Sequence, residues 1–149
     1  MNEDEKWMNY AIQEAIKAEM NGEVPVGAVL IKDGILIAKA HNQSVQKHDA
    51  SAHAEIQLIR SAGKKLENYR LTGSSIYVTL EPCAMCFGAI VHARIETLIF
   101  GARDPKTRVC GSSINLNNMK IFNHRVNVRS GILEKKCSDL LKSFFKLKR

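Results

Sequence analysis

Residues 75–86 read S-I-Y-V-T-L-E-P-C-A-M-C, and no other stretch constrains the fold as tightly. The run S-I-Y-V-T-L at 75–80 predicts a buried strand. Pro82 then opens a helix running to about residue 93, since the first helical turn does not need the N–H that proline lacks. Positions three apart share a helix face, so Cys83 and Cys86 can reach one metal. Placement in a first turn also favours the thiolate that metals bind. A structural zinc site usually repeats such a pair or adds two histidines. Only Cys110 and Cys137 remain, and neither is paired at that spacing. The other ligands must come from elsewhere.

The rest of the chain supplies the surroundings. A helix is predicted over 3–21, ended by Asn21-Gly22. Strands at 26–31 and 35–40 flank Lys32-Asp33-Gly34, a hairpin signal. A polar loop covers 41–51, and a second helix covers 52–62, closed by Gly63. Further strands are expected at 97–101 and 125–128, with a final amphipathic helix from 132 to about 146. An opening hairpin followed by alternating strands and helices predicts an α/β class: a three-layer α/β/α sandwich on a five-stranded mixed sheet. At 149 residues the chain is one domain's worth, 1–149. With 45% apolar and 25% charged residues, it is neither a disordered nor a fibrous sequence. No apolar run is long enough to cross a bilayer. The N-terminus, M-N-E-D-E-K, is the opposite of a signal peptide, which points to the cytoplasm and to reduced thiols. A net charge of +7 points toward a polyanionic partner.

The third metal ligand is sought at the other loop-to-helix junction, in A-H-A-E at 52–55. His53 offers a ring nitrogen. Glu55, two residues on, points away from it on a regular helix, which suits a carboxylate reaching the metal's water better than a second ligand. One histidine and two cysteines leave a fourth position open, the arrangement of a catalytic zinc. His41, His48, His92 and His124 belong to no motif and are read as surface or packing residues. A lone C-x-x-C also fits a redox pair, but H-x-E combined with P-C-x-x-C is the signature of zinc deaminases.

On these residues the chain resembles the TadA-type bacterial tRNA adenosine deaminases of the cytidine-deaminase-like superfamily. Matching stretches are E-V-P-V-G-A-V at 23–29, A-H-A-E-I at 52–56, N-Y-R-L at 68–71 and Y-V-T-L-E-P-C-A-M-C at 77–86. F-G-A-R-D at 100–104, N-H-R-V at 123–126 and the terminal F-F-K-L-K-R extend the match nearly end to end. The resemblance implies one Zn2+ per subunit on His53, Cys83 and Cys86, with Glu55 as proton shuttle. It implies hydrolytic conversion of adenosine to inosine at the wobble position of a tRNA anticodon, by a homodimer. Asn42 would then hydrogen-bond the adenine, Ala54 would offer its backbone N–H, and Val26 would pack on the base. Asp104 and Lys106 match loop residues beside the anticodon stem-loop. Phe144, Phe145, Lys146, Lys148 and Arg149 match a tail that grips tRNA.

Other readings stand beside these. Val26 equally suits strand core, Phe144 and Phe145 suit packing, and Asp104 suits a turn before Pro105. Family members commonly carry small residues where this chain has Arg108-Val109-Cys110, so the local loop shape is open. Cys110 reads as a free thiol near the site, and Cys137 as core. The alternative functions are a deaminase of free bases or nucleosides, guanine or cytosine type, on the same scaffold, and a non-catalytic RNA-binding module with structural zinc.

Overall fold

Asn2 starts the first helix through a capping box. Its Oδ1 accepts the Glu5 N–H at 2.9 Å, and Glu5 Oε1 accepts the Asn2 N–H at 3.1 Å. From there the computed structural model, which describes residues 1–104, 106 and 108–148, runs in order through α1 (Glu3–Met20), β1 (Gly27–Lys32), β2 (Ile35–His41), α2 (Ala54–Leu66) and β3 (Ser74–Leu80). It continues with α3 (Ala84–His92), β4 (Thr97–Ala102), a 3-10 turn (Leu116–Asn118), β5 (Asn127–Ser130) and α4 (Glu134–Lys148). The strands form one five-stranded sheet in the order β2-β1-β3-β4-β5. β1 is antiparallel to both its neighbours, and β3, β4 and β5 are parallel. This is the mixed sheet expected from the sequence.

Helices cover both faces. Val29, Tyr77 and Ile99 lie side by side across β1, β3 and β4, and Tyr77 donates its hydroxyl to Asp4 of α1 at 2.7 Å. By strand alternation, Leu30, Ile76, Val78, Leu98 and Phe100 point the other way, toward α2 and α3. All five are buried. Gly27 explains how closely α1 approaches, because a Cβ there would be driven into the backbone of Ala11 and Ala15. On the same face Gly101 leaves room for Cys137 of α4, which is fully buried as the sequence suggests.

Several boundaries differ from expectation, each for a local reason: α2 is not closed by Gly63 but runs through it to Leu66, ending at a left-handed Glu67 (φ 51°). The hairpin turn is as predicted, with Asp33 and Gly34 both left-handed (φ 53° and 73°). α2 begins at Ala54 because residues 49–53 are held in turns, and His53 stands in extended backbone as its N-cap. α3 begins at Ala84, so Pro82 lies before the helix and not in its first turn, with Cys83 as N-cap. β5 pairs from Asn127 and not from residue 125, because the Asn117 side chain takes both backbone groups of Val126 (2.7 and 3.1 Å). α4 starts at Glu134, since Leu133 is left-handed (φ 52°) and cannot continue a helix backward.

Candidate active site

Both candidate metal-binding motifs sit at helix N-caps on the α2/α3 side. Neither His53 nor Cys83 caps its helix through its side chain, so both are free to point outward. His53 Nδ1 lies 3.6 Å from Cys83 Sγ and 3.4 Å from Cys86 Sγ. All three ligand atoms fall within 4.8 Å of one another. A tetrahedral zinc with bonds of about 2.1 Å to nitrogen and 2.3 Å to sulfur holds N and S roughly 3.6 Å apart. The three side chains fit such an ion with their present spacing. Cys110 is buried but lies outside this group.

Protons mediate the contacts. The Cys86 S–H donated to Cys83, and then His53, outweigh burial and pull the Cys83 thiol down to about 3. Cys86 is pushed up, by that same hydrogen bond and by its burial. His53 is raised above the ordinary histidine value by its bond to Cys83. A cation taking up the three would displace these shared protons, as metal binding to thiols and imidazole generally does.

Glu55 occupies the second residue of α2 and is 4% exposed. Because His53 is the N-cap and not part of the helix, both side chains reach one cavity despite their two-residue spacing. Burial raises the Glu55 carboxyl above the usual carboxylate range, against the pull of its own backbone N–H, and the charge of Cys83 adds to the rise. A carboxyl raised in this way is suited to take up and give back a proton.

The cavity measures about 1100 Å³, and its wall includes Val26, Asn42, His53, Glu55 and Asp104. Asn42 is fully oriented. Its Oδ1 accepts the Ala54 N–H at 2.8 Å and its Nδ2 donates to Val24 O at 3.2 Å. Ala54 is itself fully buried, so the two residues expected to meet the base separately are joined to each other. One Asn42 amide hydrogen is left for a ligand. Val26 is 5% exposed, at the strand end and in the cavity wall at once. Asp104 accepts the Lys106 N–H at 3.0 Å, while Lys106 itself is exposed and outside the lining. From α4 come Phe144, Phe145, Lys146 and Lys148. Phe144 is buried and meets Phe145 edge-on at 5.4 Å, and Lys148 Nζ sits 5.5 Å from the Phe144 ring centre. Phe145 is half-exposed. Arg149 lies outside the described residues.

Sequence reasoning passed over two carboxylates that build the cavity walls. Glu23, 2% exposed, accepts the N–H groups of Val45 and Gln46 at 3.0 and 2.8 Å, holding the 43–51 loop. Glu81, 1% exposed, accepts N–H groups from Asp104 (3.3 Å), Cys110 (2.9 Å) and Ser112 (3.1 Å), together with the Ser112 hydroxyl. The available signal was a glutamate adjacent to each motif, at the start of E-V-P-V-G and of E-P-C-A-M-C.

Known proteins resemble the whole of this arrangement. The profile of the MafB19-like deaminases matches residues 2–149. A tRNA-specific adenosine deaminase of Bacillus subtilis (strain 168) is 49% identical over 146 residues, covering 98% of this chain and 91% of the relative. One from Haemophilus influenzae is 48% identical over 147 residues, covering 98% and 85%. A solved structure from work on A-to-I editing by tRNA:A34 deaminases at the wobble position superposes with a TM-score of 0.89 at 42% identity, covering 91% of this chain and 99% of that one. Likeness that runs the full length at nearly half identity, and extends to the backbone, leaves one family: the chain belongs to the MafB19-like deaminases, among the tRNA-specific adenosine deaminases.

Proposed function

We propose that the chain hydrolyses adenosine to inosine at the wobble position of a tRNA anticodon. The observation that carries this is the meeting of one imidazole and two thiols at ligand distance beside a buried carboxyl in a single cavity. His53, Cys83 and Cys86 hold one Zn2+ per subunit, which when bound supplies the Lewis acidity that makes water nucleophilic near neutral pH. Glu55 moves the protons, as is general for zinc deaminases. It takes one from the attacking water and passes it to the purine ring nitrogen beside the attacked carbon, then takes the hydroxyl proton of the resulting adduct and passes it to the amine, which leaves as ammonia. Asn42 presents its remaining amide hydrogen to the purine, and Val26 packs against the base. Phe145, Lys146, Lys148 and Arg149 meet the RNA outside, with Asp104 and Lys106 beside the anticodon loop. The domain, 1–149, acts in the cytoplasm as a homodimer, as the family resemblance implies.

A cavity of about 1100 Å³ exceeds what a free base fills and opens toward the lysines of α4, which supports a macromolecular substrate. An unpaired anticodon base is also cheap to extrude. The test is to offer the enzyme an anticodon stem-loop, free adenosine, guanine and cytosine, assaying inosine and ammonia, with metal analysis of the same preparation. Turnover of the stem-loop alone with about one zinc per chain supports the reading. Equal turnover of a free base or nucleoside supports the alternative, and a fourth protein ligand on the metal removes catalysis by this site.

A further inference from the structure

Arg108 brings a cation into the cavity that the chemistry above does not use. Its side chain is 21% exposed and stands in the same lining as His53 and Glu55. The guanidinium Nε is buried and, among the described residues, has no hydrogen-bond partner: Asp104 Oδ2 pairs with it by charge at 3.6 Å, beyond hydrogen-bond range. A buried donor left unmade is costly, and satisfying it with an incoming acceptor recovers that cost.

The position of Arg108 is also prepared. Glu81 ties down Asp104 on one side of it and Cys110 and Ser112 on the other. Arg108 donates its own N–H to Asp104 O at 3.3 Å and accepts the Ser113 N–H at 3.1 Å. The backbone that carries the guanidinium is therefore fixed before any ligand arrives, so little ordering remains to oppose binding. Its positive charge is felt at Glu55, His53 and Cys86, which places it near the reacting end of the cavity and not at a distant rim. A planar fork of donors with one unmade bond matches a phosphate oxygen, and phosphates flank every nucleotide that can reach Glu55.

We propose that Arg108 is a substrate-binding residue that takes a backbone phosphate adjoining the adenosine in the cavity, an inference that rests on the RNA substrate proposed above. Binding is measured by anisotropy of a labelled anticodon stem-loop in a Glu55→Ala background, which keeps the substrate unreacted, over a range of salt. Arg108→Ala weakens binding roughly tenfold, the low end for a bond to a charged group. It also flattens the log–log salt dependence by about 0.7, the loss of one single-strand phosphate contact. Arg108→Lys restores the slope but only part of the affinity, because a point charge replaces the fork. With Glu55 intact, KM rises by the same factor and kcat stays within about twofold. A stem-loop with a neutral methylphosphonate at the contacted linkage binds the parental protein more weakly and Arg108→Ala no more weakly than before. Zinc content and melting temperature, checked also in Arg108→Gln, stay at parental values.

Unchanged affinity and slope in Arg108→Ala overturn the inference. So does weaker binding with an unchanged slope, which marks a base contact. If the parental enzyme does not deaminate the stem-loop, the substrate reading fails and this inference with it. If it does and Arg108→Ala behaves identically, only the role of Arg108 falls.

Discussion

Glu55 and Glu81 are nearly sealed from solvent, at 4% and 1% exposure, and both line the same cavity, yet their surroundings give them opposite uses. Glu81 spends both carboxylate oxygens on backbone N–H groups of the 104–112 loop. A carboxylate held in that way stays still, because moving it breaks several bonds at once. Glu55 accepts its own backbone N–H, and among the described residues no other donor reaches its oxygens, so burial raises it and leaves it open to proton exchange. Glu23 follows Glu81, with two N–H groups of the 43–51 loop on its two oxygens. Of the three buried glutamates that line the cavity, two therefore build its walls, and the third is left chemically available. Fixed donors, and not burial, separate the two carboxylates that hold loops from the one open to proton exchange.

The comparison is tested hardest at Glu55. Glu55→Gln should cut deamination by at least about 10²-fold, the low end of a general acid–base contribution. Its zinc content should match the parental protein and its stability should not fall, since a buried ionisable group has been replaced by a neutral isostere. Loss of zinc in that variant, read by metal analysis, would move Glu55 into the ligand shell.

Glu81→Ala should show the reverse pattern. It leaves the buried N–H of Cys110 and the part-buried N–H of Ser112 without an acceptor, so denaturant unfolding should report a loss of about 3 kcal/mol. Activity per folded, zinc-loaded molecule should decline through KM as the loop loosens. A variant as stable as the parent would mean that the loop is held by other contacts.

Glu23→Ala removes only two bonds, to a loop where Val45 is 63% exposed and water can replace the lost acceptor. A smaller destabilisation of about 1 kcal/mol is expected in the same unfolding assay. If it equals the Glu81 effect, solvent access does not explain the difference between the two clamps.

The smallest effect belongs to a carboxylate remote from the cavity. Burial alone would raise Asp4, but hydrogen bonds from Arg129 and Tyr77 outweigh it and hold the carboxyl below its ordinary value. A depressed carboxylate contributes stability above its unfolded pKa and loses it as pH falls through the folded value. Asp4→Asn should therefore cost less than about 1 kcal/mol at neutral pH, as the Arg129 side chain is half-exposed. The difference from the parent should vanish in acid, and turnover should not change. A change in kcat would show that this brace is coupled to the site.

Particular residues show how much was legible beforehand. Cys83 and Cys86 were readable as one unit because three residues bring side chains round to the same side of a helix start. His53 was found by matching chemistry across a gap of 30 residues, and the structure gives that match its distance of 3.6 Å. Asn42 was readable as a site residue but not as a partner of Ala54, since that bond depends on where β2 releases the chain. β5 was shifted by two residues because Asn117, nine positions away, captured Val126, and no local pattern announces such a capture.

The amino-acid order by itself determined the alternation of strands and helices, the hairpin at Asp33-Gly34 and the donor set of His53, Cys83 and Cys86, because each follows from periodicity, turn geometry or ligand chemistry over a few residues. Only the tertiary structure decided that Glu55 would be buried beside that set, that Glu23 and Glu81 would each hold a loop, and that Arg108 would turn its guanidinium into the cavity. A carboxylate or a guanidinium is the same group wherever it stands in a sequence. Its burial and its partners come from segments brought together by the sheet, and those set whether it braces the fold, binds a ligand or moves a proton.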